Sequence, residues 1–375
     1  MRASFADAAL ARYAGRFVWL DLNFDKESNQ SFVERHGVQW TPTLLVLDPA
    51  DERVTAQHNG GVTVDELREF LERGERGMHT APTTEADVAQ RRGDELAGKG
   101  RFADAAVEYR NALAAAPSAW AGRARTVDAL TSGLLLAGEE QSCAEEAIRF
   151  VPTAARDRTF ARVVRTGLSC ANTDESAPWA RGARKTLEPL AAEAVAFKDV
   201  LRNDHFELLQ NLIISAQLRG DPAAARRWGD RWLTEIDGSR PRNDDERSAL
   251  DIARLDAVLL LDEPERALPA LAASEKAMPR NYTASMRYAE AALHARHFDD
   301  AVAASKRGLA LVDGPMGRTR LLWIQAEAWV GKGQRQAARG VLDEAMASAR
   351  TIPSQNTRDH YLRRLQATSQ DIERL

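Results

Sequence analysis

Side chains able to do covalent or metal chemistry are few and scattered in this chain. Cys143 and Cys170 are its only cysteines, so it holds neither a Cys-x-x-Cys pair nor a four-cysteine zinc site. Cys143 falls in a helical stretch running to Phe150, and Cys170 follows another spanning Phe160 to Leu168. Val151-Pro152 between them marks an antiparallel turn. Such a hairpin brings the two sulfurs together at its open end. Two states fit that placement: a disulfide, contributing roughly 3 kcal/mol and needing an oxidising compartment, or two buried thiols. The scarcity of cysteine in so long a chain favours the disulfide. Of seven histidines only His294 and His297 share a helix face, and without a third ligand nearby they read as surface residues, so no metal is expected. The acidic runs Glu139-Glu140, Glu145-Glu146 and Asp244-Asp245-Glu246 read as solvated helix starts. There is no Gly-rich phosphate loop, Gly-x-Ser-x-Gly or His-Glu-x-x-His, so hydrolases and nucleotide enzymes have no support and no cofactor is expected.

The elements that must position these groups begin with a chain of 375 residues, too long for one ordinary core and suited to two or three domains or a repeat array. With 44% hydrophobic and 28% charged residues it has the composition of a folded globular protein. A net charge of -4 gives no electrostatic case for nucleic acid or an anionic membrane surface. Apolar runs are short, such as Leu44 to Leu47 and Val258 to Leu261, against the roughly 18 residues a spanning helix needs, so no membrane insertion is expected. Met1 to Asp7 shows no signal peptide.

Phe5, Ala9, Leu10 and Tyr13 predict a helix that stops at Gly15, and Phe17 to Leu22 predicts a buried strand. A short helix over Ser28 to His36 ends at Gly37. Pro42 then opens a strand, Thr43 to Leu47, with a turn at Asp48 to Asp51 and a third strand over Arg53 to Asn59. Thr63 caps a closing helix with Leu67, Phe70 and Leu71 on its buried face.

This order, with Leu22-Asn23-Phe24-Asp25 followed by Gly37-Val38-Gln39-Trp40-Thr41-Pro42-Thr43-Leu44-Leu45, resembles the C-terminal part of thioredoxins over about residues 1 to 75. The resemblance implies a cis proline at Pro42 and a loop, Thr41-Pro42-Thr43, that offers backbone groups to a substrate peptide beside a reactive cysteine. The half carrying that cysteine is absent, together with the strand that lies between Phe17 to Leu22 and Thr43 to Leu47 in family members. Its loss leaves unpaired strand edges, each unsatisfied group costing on the order of 1 to 3 kcal/mol. The expectation is therefore that Met1 is an internal methionine and that the native protein starts upstream with a strand, a Cys-x-x-Cys and, where exported, a signal. The alternative is a degenerate, non-catalytic domain that pairs its strands directly. Compartment follows the same choice: periplasmic or exported with an upstream start, cytoplasmic otherwise.

After a polar linker the chain turns to Ala, Arg and Glu with helical periodicity. Over Glu85 to Pro117, Gly93, Leu96, Gly100, Phe102, Ala105, Tyr109, Ala112 and Pro117 recur at the spacing of a tetratricopeptide unit of ~34 residues. Gly93 and Ala105 permit close helix approach, Tyr109 fills the groove, Ala112 meets the next repeat and Pro117 ends the second helix. The frame recurs from Ser248 (Ala267, Pro279), from Tyr282 (Ala289, Phe298, Ala301, Gly308) and from Thr319 (Ala326, Gly333, Ala338, Ala345). Phe206 to Ser239 fits more loosely, and residues 121 to 205 are helical but only partly in frame. Trp228, Trp232, Trp323 and Trp329 read as core residues rather than a binding stripe.

The resulting expectation is an α/β plus all-α protein: a partial thioredoxin-like domain at 1–77, a linker at 78–84, a tetratricopeptide-like α-solenoid at 85–352 and a C-terminal helix at 353–375. Two functions follow. One is a thioredoxin-family thiol-disulfide protein with a client-binding repeat region, enzymatic only with an upstream Cys-x-x-Cys; the other is a non-catalytic peptide-binding adaptor. Both imply protein or peptide partners, with oligomeric state undetermined.

Overall fold

The structure is a computed structural model that describes all residues except 1–4, 6, 24–25, 39–41, 61, 63, 80–83, 354 and 375. The chain packs as two compact units, one of residues 1–24 and 31–222, the other of residues 25–30 and 223–375.

In the first unit, a short helix α1 (Gln30–Arg35) precedes strands β1 (Thr43–Leu47) and β2 (Val54–Asn59). They pair antiparallel with Thr43 opposite Asn59 and a register break between Val46 and Leu47. The turn joining them is held by the Asp48 carboxylate, which accepts the Ala50 N–H at 3.0 Å, and by Glu52 in the left-handed region at φ 58°. Helix α2 (Val64–His79) lays Leu67, Phe70 and Leu71 against Leu10, Tyr13, Val46, Ala56 and Val62. Its Gly74 sits on the sheet so closely that a β-carbon there meets Val46 at 2.6 Å.

One expected strand is not formed. Residues 17–23 have no regular structure, and Val18, Trp19, Leu20 and Leu22 are 88%, 45%, 72% and 40% exposed. Among the described residues the sheet has two strands, so an extended segment at 17–22 has no neighbour to take its backbone groups. The α/β part is thus a hairpin backed by a helix, and the sheet of a partial thioredoxin-like domain is not assembled. Within the helix expected ahead of it, the described Phe5 is helical and Ala8–Tyr13 form a 3-10 helix, with Asp7 capping Ala9.

Beyond residue 84 the described chain is helical throughout, arranged as antiparallel hairpins. In the first unit these are α3 (Glu85–Ala97) with α4 (Phe102–Ala115), α5 (Arg123–Ala137) with α6 (Glu140–Phe150), and α7 (Arg158–Ala171) with α8 (Pro178–Ala194), followed by α9 (Arg202–Leu218). In the second unit α10 (Pro222–Asp237) precedes α11 (Asp244–Leu260) with α12 (Leu268–Ala277), α13 (Tyr282–His294) with α14 (Phe298–Leu309), and α15 (Pro315–Gly331) with α16 (Arg335–Arg350). The terminal α17 (Gln355–Arg374) packs on α16, with Leu365 and Ile372 completing the last apolar layer. Each first helix neighbours the next first helix within its unit, which is the arrangement of a tetratricopeptide-like stack.

Local chemistry explains why the hairpins repeat. Thr84, Asp157, Asn243 and Asn281 cap first helices through their side-chain oxygens. The turn between the two helices is built alike in five of the six hairpins. Arg101, Glu139, Glu263, His297 and Gln334 each donate a backbone N–H to the carbonyl five residues back, at 2.8 to 3.0 Å. The residue before donates from a left-handed position in Gly100, Gly138, Asp262, Arg296 and Gly333. The turn between α7 and α8 differs. There Asp174 accepts from Ser176 and Ala177, and Arg184 donates to the carbonyls of Ala171, Asp174 and Glu175. Residues 121–205 therefore form two complete hairpins, and their weak match to the repeat frame reflects this substituted turn rather than a break in the stack.

Candidate functional site

The described side chains that could meet a ligand lie on the first helices of the hairpins, where charged groups bond across successive repeats. On α3, Asp94 accepts the Tyr109 hydroxyl at 2.9 Å and is paired with Arg125 of α5. Asp128 of α5 pairs with Arg162 of α7 at 3.1 Å, and Arg165 of α7 pairs with Asp204 of α9 at 2.6 Å. The second unit does the same: Arg287 of α13 donates to Ser248 of α11 at 2.8 Å, and Arg320 of α15 grips Glu290 of α13 at 2.7 and 2.8 Å. A parallel series joins second helices, with Arg110 to Glu146 and Arg307 to Glu275, and Arg156, in the connection between α6 and α7, reaches Glu193 of α8. Apart from the bond between Tyr109 and Asp94, which spans 15 residues within one hairpin, each of these bonds spans 30 to 39 residues, close to one repeat.

Burial tunes this face. Desolvation holds the Tyr109 hydroxyl well above its ordinary range, reinforced by the Asp94 charge. Burial pushes the Asp204 carboxyl up to about 6, against the opposing pull of Arg165 and Arg162. Burial also brings Arg73 of α2 down to about 9, with the like charge of Arg125 adding to the effect. A face of paired, half-desolvated guanidinium and carboxylate groups has the donors and acceptors to hydrogen-bond charged side chains and peptide groups.

The expected site residues are placed as follows. Thr41 lies outside the described residues. Pro42 accepts the Gly60 N–H at 2.8 Å through its carbonyl, and Thr43 opens β1 opposite Asn59. The sulfurs of Cys143 and Cys170 are 2.07 Å apart, joining α6 to α7 in a fully buried bridge. Both cysteines of the chain are thus occupied by each other, in a different hairpin from the Pro42 loop. Gly93 meets Tyr109 so closely that a β-carbon there lies 2.5 Å from the ring, and Ala105, Tyr109 and Ala112 are buried around that crossing. Pro117 follows the end of α4, its carbonyl taking the Trp120 N–H at 3.0 Å. Ala289, Ala301, Ala326 and Ala338 are fully buried at the equivalent crossings, and Gly331 abuts Phe298 there. His294 and His297 acquire no third ligand; among the described residues no three His, Cys, Asp or Glu side chains converge on a metal-sized site. No described helix is long and apolar enough to cross a membrane.

Two features escaped the sequence reading. Glu146 is not a solvated helix start: it is 8% exposed and bridges Arg110 at 3.0 Å and Arg149 at 2.7 Å. The arginine series on the first helices was also missed. Its signal was present, since Arg125 and Arg162, like Arg287 and Arg320, stand about one repeat apart with carboxylates one repeat before or after them. Of the tryptophans, Trp232 is buried, whereas Trp323 is half-buried, donates to Thr368 at 3.0 Å and carries the Arg364 guanidinium 4.9 Å above its ring.

No family model matches the chain, and no curated protein matches it. Among solved structures it is similar to a tetratricopeptide repeat protein from Parabacteroides merdae ATCC 43184, at 10% identity and TM-score 0.47 over 75% of this chain and 99% of the other. It is also similar to the TPR2AB domain of yeast Sti1 in its complex with pHSP90, at 13% identity and TM-score 0.30 over 77% and 98% of the two chains.

Proposed function

We propose that the protein is a non-catalytic scaffold whose helical repeats bind a protein or peptide partner through the charged face of the first helices. The observation that carries this reading is the series of cross-repeat polar bonds, in particular the ion pair of Arg320 with Glu290, whose guanidinium keeps part of its surface in solvent, beside the buried Arg287 bonded to Ser248. Such groups hold the stack together and still have capacity for a partner's backbone and acidic side chains. A peptide library displayed against the full-length protein tests it. Enriched peptides should bind at micromolar affinity, and Arg320→Glu should weaken them at least tenfold without altering the helical circular dichroism. Absence of enrichment, or binding indifferent to Arg287 and Arg320, would overturn the proposal.

A second reading, a thioredoxin-family protein with a client-binding repeat region, is favoured by one observation, the sequence of Pro42, β1, turn, β2 and α2. It demands a thiolate beside Thr41-Pro42, and both sulfurs here are bonded to each other within the helical hairpin. Insulin-reduction activity of this chain under dithiothreitol cycling would support that reading over the scaffold. We further take residues 1–77, 78–84, 85–352 and 353–375 as the sequence domains on which truncation should be based.

A further inference from the structure

Helix α2 has two faces with different occupations. Leu67, Phe70 and Leu71 are buried under the β-hairpin, while Glu66 and Glu69, one turn apart, face the repeats. Glu66 is 9% exposed and meets two arginines of α7, Arg158 at 3.2 Å and Arg162 at 2.5 Å. Arg158 also reaches Glu69 at 3.7 Å, and Arg162 continues to Asp128 of α5. Further along α2, Arg73 lies in the field of Asp94 and Arg125. One helix is thus bonded to α7 on the face to which the scaffold reading assigns partner binding. It engages α7 through long charged side chains rather than an apolar seam.

We infer that the first-helix face of the N-terminal repeats is a docking surface for an acidic amphipathic helix, and that α2 is its resident occupant, which an acidic helix of a partner must displace. The inference rests on the scaffold reading and adds the ligand's chemistry and its competitor. A buried ion pair contributes little net stability, because desolvation cancels most of its attraction; an incoming helix with carboxylates three residues apart restores the same pairs. Exchange of one acidic helix for another at Arg158 and Arg162 therefore conserves the ion pairs, and the incoming helix has to exceed the effective concentration that the tether gives α2. The groups facing this surface are Glu66, Glu69 and Arg73 from α2, Asp94 from α3, Arg125 and Asp128 from α5, Arg158, Arg162 and Arg165 from α7, and Asp204 from α9.

The probe is a fluorescein-labelled peptide of residues 64–79, titrated by anisotropy against full-length protein. Glu66→Arg/Glu69→Arg should free the surface and bind the peptide at least tenfold more tightly than the unaltered chain. Adding Arg158→Glu/Arg162→Glu should abolish that gain, as should a peptide with Gln at positions 66 and 69. Hydrogen exchange provides a second readout. In the double variant, amides of 64–79 should exchange faster while those of α4 and α6 are unchanged. Equal peptide affinity in both chains, or loss of protection throughout the first unit, would sink the inference. If library peptides nonetheless bind through Arg320, the scaffold reading stands without it; if neither probe binds, both fall.

Discussion

The N-terminal segment and the helical hairpins were built from comparably apolar sequence, yet they met opposite fates. Ala105, Tyr109, Ala289 and Ala326 are buried where their spacing places them, while Val18, Leu20 and Leu22, as apolar as any of these, lie exposed. The difference lies in where each finds its partner. A hairpin's second helix follows within a few residues, and the next repeat supplies the other wall about 30 to 40 residues on. A strand at 17–22 instead depends on a neighbour that the described sheet does not offer. Apolar pattern without a partner edge does not make a strand.

The comparison can be broken most directly at the helix crossing. Tyr109→Ala empties the groove against Gly93 and removes one of the two bonds to Asp94, so urea denaturation should show a loss of about 4 kcal/mol. A loss under 1 kcal/mol would place the repeat core elsewhere. Next comes the bridge that joins the second hairpin to the third, from α6 to α7. Cys143 and Cys170 are 27 residues apart, and opening the bridge by Cys143→Ser/Cys170→Ser should cost roughly 3.5 kcal/mol. Thiol titration of the unreduced, denatured protein should find no reactive sulfur; two reactive thiols per chain would contradict the bridge.

A smaller, pH-dependent effect sharpens the role of the cross-repeat charges. The Asp204 carboxyl is pushed from 3.8 up to about 6. Between those values the folded chain keeps a proton that the unfolded chain has released. This group's contribution is therefore full below about pH 4, declines as pH rises through 6 and is flat above it. Asp204→Asn should remove a fall of about 2 kcal/mol between pH 4 and pH 7, read as the difference between wild-type and variant denaturation curves. Identical pH profiles would show that Arg165 keeps the carboxylate fully ionised. The smallest effect is expected at Leu20→Ser, within about 0.5 kcal/mol for an exposed side chain. A loss of 2 kcal/mol or more would restore the buried strand and, with it, the case for a thioredoxin-like sheet.

Residues whose partners stand close in sequence were legible: Gly93 against Tyr109, the turn at Val151-Pro152, the β-hairpin around Asp48 and the apolar face of α2. Glu146 was misread because one of its two partners, Arg110, sits one repeat away, outside any local window, while Arg149 stands three residues on. The hairpin of α7 and α8 was half legible for a related reason. Its turn replaces the left-handed residue with an Asp174 and Arg184 network, and Arg184 reaches it from well inside the following helix.

By itself the sequence determined the repeating helices, whose caps are set by neighbours within a turn and whose small-residue crossings are set by partners within one hairpin. Tertiary structure alone decided that residues 17–22 stay out of the sheet and that Glu66 is buried against Arg158 and Arg162; for Cys143 and Cys170, which the sequence put at one end of a hairpin with two states open, it holds the bridge. Each depends on how separate segments pack, and the free energy of such pairings comes from burial and desolvation that no local pattern encodes.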